Sequence, residues 1–207
     1  PQKMQWHYSS KRGKVRSRTN ALKDIYWRMN NMQAAKSGIL YYVIGYPASG
    51  KTTALGSAIT ARVATEHTKP FKHIDYEDGT VQIGARRTQF GGTDALPFNV
   101  QPKVLKWLPE AEASVIVGEG DRLCNNKFFN AVVEMGMPLK IVHIEVPELI
   151  ARYRAWARRY ELNESWLKSR RTKVDRVVRT WQNYVTRIDG RRDACAVAND
   201  LRHCIYG

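Results

Sequence analysis

Ile39-Leu-Tyr-Tyr-Val-Ile44 runs directly into Gly45-Tyr46-Pro47-Ala48-Ser49-Gly50-Lys51-Thr52-Thr53. The first six residues are an apolar run of strand length, and Gly45 to Thr52 match G-x-x-x-x-G-K-[ST] in full. The stretch Thr53 to Ala64 that follows is compatible with a helix. Strand, glycine-bearing loop and helix in this order make a phosphate-binding loop. Its glycines let the backbone curl so that successive N–H groups and a helix N-terminus point at phosphate oxygens. In such a loop Lys51 reaches the β- and γ-phosphates and the Thr52 hydroxyl ligates Mg²⁺. The motif therefore predicts ATP and Mg²⁺ held by Gly45 through Thr53. A chance G-K-T in a surface loop explains neither the apolar run before it nor the helical stretch after it.

Outward from the loop, apolar strands alternate with helical stretches. The pattern predicts strands over Ile39 to Ile44, Phe71 to Asp75, Ala113 to Val117 and Leu139 to Val146. Helices are predicted from Gly50 to about Glu66, from Pro102 through Ala111, from Asp121 to Met135 with Asp121 as N-cap, and from Pro147 through Arg159. Val81 to Phe98, rich in Gly, Arg and Thr, reads as loop or short hairpin. Near-continuous apolar strands imply burial on both faces. The expected fold is therefore α/β, a P-loop NTPase of kinase-like form, with a parallel sheet flanked by helices and an Arg-rich helical lid. The division is a basic N-terminal arm over 1–38 and a kinase domain over 39–207. Within that domain the lid covers about 152–173, and 174–207 reads as a basic helical tail.

The 207 residues carry 34 Lys and Arg against 19 Asp and Glu, a formal net charge of +15. A kinase of a small metabolite has no need of that excess, so it implies a polyanionic partner. Residues 1 to 37 hold nine Lys/Arg against the single acid Asp24, and residues 151 to 207 hold fourteen against six. In the first segment Lys11-Arg-Gly-Lys-Val-Arg-Ser-Arg18 is interleaved with Trp6, His7, Tyr8, Tyr26 and Trp27, cations for phosphates and rings for bases. A solvated arm that only aids solubility is the bland alternative. No apolar stretch approaches a membrane span, and the N-terminus lacks the apolar segment of a secretory signal. Cys124, Cys195 and Cys204 are odd in number and far apart, so they read as free thiols. Together these predict a cytoplasmic protein without a membrane partner.

Candidate chemistry follows from the architecture. Phosphoryl transfer needs cations that neutralise the transferring group and close over it, and Arg158, Arg159, Arg170 and Arg171 are the candidates in the lid. Ligands of parallel sheets sit at the carboxyl edges of the strands, so the acid ending the second predicted strand, Asp75, is the candidate base for an acceptor hydroxyl. Glu77 and Asp78 are its rivals, or cap a turn in Tyr76-Glu-Asp-Gly79. Glu119, at the end of the third predicted strand, is the candidate to hold Mg²⁺ through water beside Thr52, or to position Lys51. Arg86, Arg87, Phe90, Asp94 and Arg122 are the candidates for acceptor contacts, with Trp107, Trp156 and Trp166 as further stacking surfaces.

The loop Gly45 to Thr53, the acid near residue 75, Gly84-Ala-Arg-Arg-Thr-Gln-Phe-Gly-Gly-Thr-Asp-Ala-Leu-Pro97, Glu119-Gly-Asp-Arg122 and Arg170-Arg-Thr-Lys173 occur in that order. This set resembles the phage-encoded P-loop kinases that phosphorylate 5-hydroxymethyluracil in DNA, over about residues 39 to 175. The resemblance implies ATP-dependent transfer to the hydroxymethyl group of a thymine-like base already in the polymer, one step in phage DNA hypermodification. It also implies a host cytoplasmic location and DNA containing a modified pyrimidine as partner. Three other readings share parts of the pattern: a 5′-hydroxyl polynucleotide kinase, a small-molecule kinase, and a DNA-binding NTPase. The last lacks a clear hhhhDE strand, since Val115-Ile-Val-Gly-Glu119 offers a lone Glu after a glycine.

Overall fold

The first predicted strand forms where expected: β1 spans Ile39–Ile44 and is buried along nearly its whole length. The computed structural model describes residues 38–85, 91–157, 159 and 163–207. The N-terminal arm up to residue 37, and Arg86, Arg87, Phe90 and Arg158, lie outside the described residues. After the phosphate loop come α1 (Lys51–Ala58), β2 (Val63–His67), β3 (His73–Tyr76), β4 (Thr80–Ile83), α2 (Gln101–Trp107), β5 (Val115–Glu119) and α3 (Asn126–Glu134). The chain continues through β6 (Leu139–Glu145), α4 (Glu148–Ala157), α5 (Glu164–Thr180), β7 (Val185–Asp189) and α6 (Ala194–Tyr206). No described helix is long and apolar enough to cross a membrane.

The strands form one sheet in the order β2-β3-β4-β5-β1-β6-β7. From β4 to β7 every pairing is parallel, with Leu40 opposite Ile116 and Leu139. Alternation along β1 divides the core into two layers. Leu40, Tyr42 and Ile44 face Phe128, Phe129 and Val132 of α3 and Val174 and Val177 of α5. Tyr41 and Val43 belong to the opposite layer with Leu55 of α1, Ala151 of α4 and Leu201 of α6. A strand buried on both faces must be apolar throughout, which is why Ile39–Ile44 lacks the alternation of a one-sided strand.

The fully parallel sheet of the sequence reading needs a correction. β3 pairs antiparallel with both β2 and β4, so the sheet is mixed. Helix α1 stops at Ala58 instead of continuing to Glu66. The β-branched Thr60, Val63 and Thr65 favour a strand, and Arg202 of α6 donates to the carbonyls of Ser57 (2.8 Å) and Ala58 (3.0 Å), satisfying the helix end. The start of the stretch Val81 to Phe98, read as loop or short hairpin, belongs instead to the interior strand Thr80–Ile83. It follows a tight turn in which the Gly79 amide donates to Tyr76 and the Thr80 amide to the Asp78 carboxylate at 2.9 Å.

Helix α3 begins four residues later than expected because Asn125, not Asp121, is the cap, its Oδ1 accepting from the Phe128 amide at 2.9 Å. The tail is not helical throughout: Val185–Asp189 is the edge strand β7, with Glu145 and Arg187 paired on its exposed side.

Candidate active site

The loop between β1 and α1 presents backbone donors with no side-chain competitor. Gly50, the residue before α1, has φ 95° and makes no side-chain cap, and the first turn of α1 contains no acid. The free amides of that turn and the positive end of the helix are left for an anion. Ala48 is also held in the left-handed region, at φ 61°, a conformation that costs an L-residue about 1–2 kcal/mol and fits the curl the loop needs. Lys51 folds back so that Nζ donates to the carbonyls of Gly45 and Tyr46, both at 2.9 Å, and to Ser49 Oγ at 3.4 Å. Burial lowers the Lys51 pKa, with nearby Glu119 acting in the opposite direction. An ammonium bonded only to neutral oxygens among unpaired amides is suited to a polyphosphate.

The magnesium candidates are brought together. Thr52 Oγ1 donates to Glu119 Oε1 at 2.8 Å, and Glu119 is almost wholly buried at the end of β5. Adjacent oxygens of an octahedral Mg²⁺ with bonds of 2.0–2.1 Å are about 2.9 Å apart, so the pair fits two neighbouring ligand positions, directly or through water. Burial raises the Glu119 pKa, opposed by Lys51 and the Thr52 hydrogen bond. A divalent ion here would restore the charge balance.

The segment Gly91-Gly92-Thr93-Asp94 lies over this pair. A Cβ on Gly92 would sit 2.4 Å from Glu119 Oε1, and the residue has φ 59°, so only glycine fits. Thr93 Oγ1 hydrogen-bonds the buried Tyr42 hydroxyl at 3.0 Å, and Tyr42 also donates to the Gly120 carbonyl at 2.9 Å. Asp94 Oδ1 accepts from the amides of Asp121 (2.7 Å) and Arg122 (3.3 Å). Lys51, Asp94, Asp121, Trp166 and Arg170 then line one cavity of about 90 Å³ beside Gly45.

Residues 36–198 match the family model described as P-loop Nucleotide Kinase3. The chain belongs to this family. No curated protein matches it. Among solved structures, an unliganded sugar kinase from Janibacter sp. HTCC2649 is similar at 12% identity, over 79% of this chain and 92% of that one, with a TM-score of 0.47. The family match supports an α/β P-loop kinase fold and kinase-type phosphotransfer.

Within this P-loop kinase the base candidate moves. Asp75 is opposite Val81, which is level with Ile116 and so with Leu40, and β3 runs against β4. Four residues along β1 and three strand spacings separate the Asp75 backbone from the loop entry, about 13 Å by 14 Å, or about 20 Å. Its carboxylate is instead bonded to His67 at 2.9 Å. Glu77 and Asp78 occupy the β3–β4 turn at the opposite edge of the sheet. Of β3 and β4, only β4 runs parallel to β5 and β1 and so points its carboxyl end toward the loop side of the sheet, and the first acid after it among the described residues is Asp94.

The lid cations of the kinase divide into three groups. Arg170 pairs with Asp121 in the cavity, and Lys173 Nζ donates to Asp121 Oδ1 and its carbonyl, both at 2.8 Å. Arg171 pairs with Glu148 and lies 5.5 Å over the Tyr46 ring, whose hydroxyl donates to Asp175 at 2.7 Å. Arg159 is exposed at φ 54°, in the turn after α4. Arg122 donates to the Leu96 carbonyl at 3.1 Å and stacks 3.5 Å over exposed Phe98.

Sequence reasoning missed Arg154, which donates to the Ser49 carbonyl (3.3 Å) of the loop and to Gly190 (2.9 Å) after β7. Its place in the arginine-rich stretch after the fourth predicted strand hinted at a role but not at this contact. Trp107 is not a stacking surface: it packs edge-on against Phe71, ring centres 5.2 Å apart, and beside His73. Trp156 and Tyr153 remain exposed on α4.

Proposed function

We propose that this kinase transfers the γ-phosphate of ATP to the hydroxymethyl group of 5-hydroxymethyluracil in DNA. The observation that carries the reading is the seating of Gly91-Gly92-Thr93-Asp94 against Thr52 and Glu119. This segment contributes to the resemblance and forms a wall of the phosphate site. The excess of fifteen positive charges supports a polyanionic acceptor over a small metabolite.

In this reading Lys51 swings from the loop carbonyls onto the β- and γ-phosphates. Thr52 and Glu119 would hold Mg²⁺, which would supply neutralisation of the charge developing on the phosphates. Asp94, oriented by the amides of Asp121 and Arg122, takes the proton of the acceptor hydroxyl. Arg170 and Lys173 exchange Asp121 for phosphate oxygens as the nucleotide enters. A hydroxymethyl group of a paired base lies in the major groove, outside the reach of this cavity, so the base must leave the stack. Trp166 lines the cavity 5.6 Å from the Arg170 guanidinium and offers a ring there.

Offering γ-labelled ATP with hydroxymethyluracil DNA, thymine DNA and 5′-hydroxyl DNA tests the proposal. Label should enter the first alone; equal labelling of all strands with a free 5′ end favours the polynucleotide-kinase reading. DNA affinity should also be chiefly electrostatic. With about six phosphates contacted, log affinity falls against log salt with a slope of about −5. Deleting residues 1–18 should flatten that slope, and an unchanged slope removes the arm from the interface.

A further inference from the structure

The sheet edge remote from the phosphate loop carries a second cluster that phosphoryl transfer does not use. His67 on β2 is directly opposite His73 on the antiparallel β3, and Asp75 is two residues beyond His73 on the same face. The two imidazoles are stacked, ring centres 4.4 Å apart and 9° from coplanar. His67 Nε2 is 2.9 Å from Asp75 Oδ2. One donor atom from each of the three residues lies within 4.8 Å of the other two.

We infer that His67, His73 and Asp75 form a binding site for a divalent transition-metal ion of the zinc class. Three features of the chemistry point to it. Two imidazoles and a carboxylate are the donor set of zinc and its neighbours, whereas Mg²⁺ and Ca²⁺ take oxygens alone. The His73 Nδ1 is 2.9 Å from the Phe71 carbonyl, which can only accept, so Nδ1 carries the proton and Nε2 keeps the lone pair. A backbone carbonyl on the far nitrogen is the arrangement that fixes the tautomer and aim of a metal-ligating histidine.

His73 is further held by Phe71 and Trp107, ring centres 5.2 Å and 5.1 Å away, so one ligand is rigid. His67 and Asp75 are each a little over one-third exposed and free to adjust. Tetrahedral ligands with bonds of 2.0–2.1 Å are about 3.3 Å apart, so the donors, now within 4.8 Å of one another, must close in and the His67 ring must turn out of its stack for the lone pairs to converge. Three protein ligands at a half-open edge leave a fourth position for water. Bound metal would add a cross-link between the edge strand β2 and β3 beside the backbone ladder that joins them.

The test uses the full chain with Cys195 and Cys204 replaced by serine, stripped with a chelator and titrated with Zn²⁺ against a chromophoric competitor. The site predicts one zinc per chain, a rise in Tm with zinc, and a Co²⁺ visible spectrum typical of four-coordinate N/O ligation. His67→Ala and Asp75→Asn should each weaken zinc binding by about 10- to 100-fold or more. Both positions are part-exposed, so these variants fold where His73→Ala risks not doing so. Millimolar Mg²⁺ should not displace the zinc. Absence of stoichiometric binding, or unchanged affinity in His67→Ala and Asp75→Asn, overturns the site and leaves His67 and Asp75 as a simple ion pair.

Discussion

Lys51→Ala is expected to lose phosphoryl transfer by about 10²- to 10³-fold while the protein stays folded. The buried ammonium is the cation that the loop can deliver to the transferring phosphate, and removing one such fixed group costs about 3–4 kcal/mol in the transition state. Its bonds in the structure are to two backbone carbonyls and a hydroxyl, and it has no carboxylate partner to leave behind unpaired. The alanine therefore removes a charge already burdened by burial. Steady-state transfer measured beside a thermal melt separates the two effects. Near-normal turnover in a folded Lys51→Ala protein would remove the basis for assigning catalysis to this loop.

Asp94→Asn should be nearly as damaging to kcat and nearly silent in nucleotide affinity. Asparagine keeps the Oδ1 that accepts from the amides of Asp121 and Arg122, so the segment stays seated. It loses the anion that takes the acceptor proton, and general-base catalysis is worth about 10²- to 10⁴-fold. Asp75→Asn, by contrast, should leave transfer close to wild type. If the effects of the two substitutions are exchanged, the base is at Asp75 and the β3 orientation has been misjudged as a guide to chemistry.

The contrast between these two carboxylates shows what was legible in the sequence. Strand β1, the loop and the start of α1 are determined locally, by an apolar run, positive-φ positions and a free helix N-terminus, and they form as read. Glu119 was also legible because it ends a parallel strand beside β1. Asp75 was misplaced because strand direction is a property of pairing. The Tyr76–Gly79 turn reverses the chain, so the strand leading to the active edge is Thr80–Ile83, too short and too flanked by glycines to stand out.

Asp121 was similarly assigned to a helix cap, a role that Asn125 takes, which frees its carboxylate for Arg170 and Lys173 fifty residues away in sequence. Arg154 meets the loop only because α4 packs across it, a contact no local pattern announces. Long-range pairings of this kind are where sequence periodicity stops being informative.

The proposed reaction is phosphorylation, at this loop, of a base hydroxyl within DNA. The most direct measurement is to digest DNA labelled from γ-³²P ATP to nucleosides and locate the phosphate by mass and mobility. The expected product is a nucleoside phosphorylated on the hydroxymethyl group of its pyrimidine, strongly reduced with Lys51→Ala and with Asp94→Asn. Label recovered only at 5′-terminal sugars, or no transfer to DNA alongside efficient transfer to a small alcohol, would contradict it.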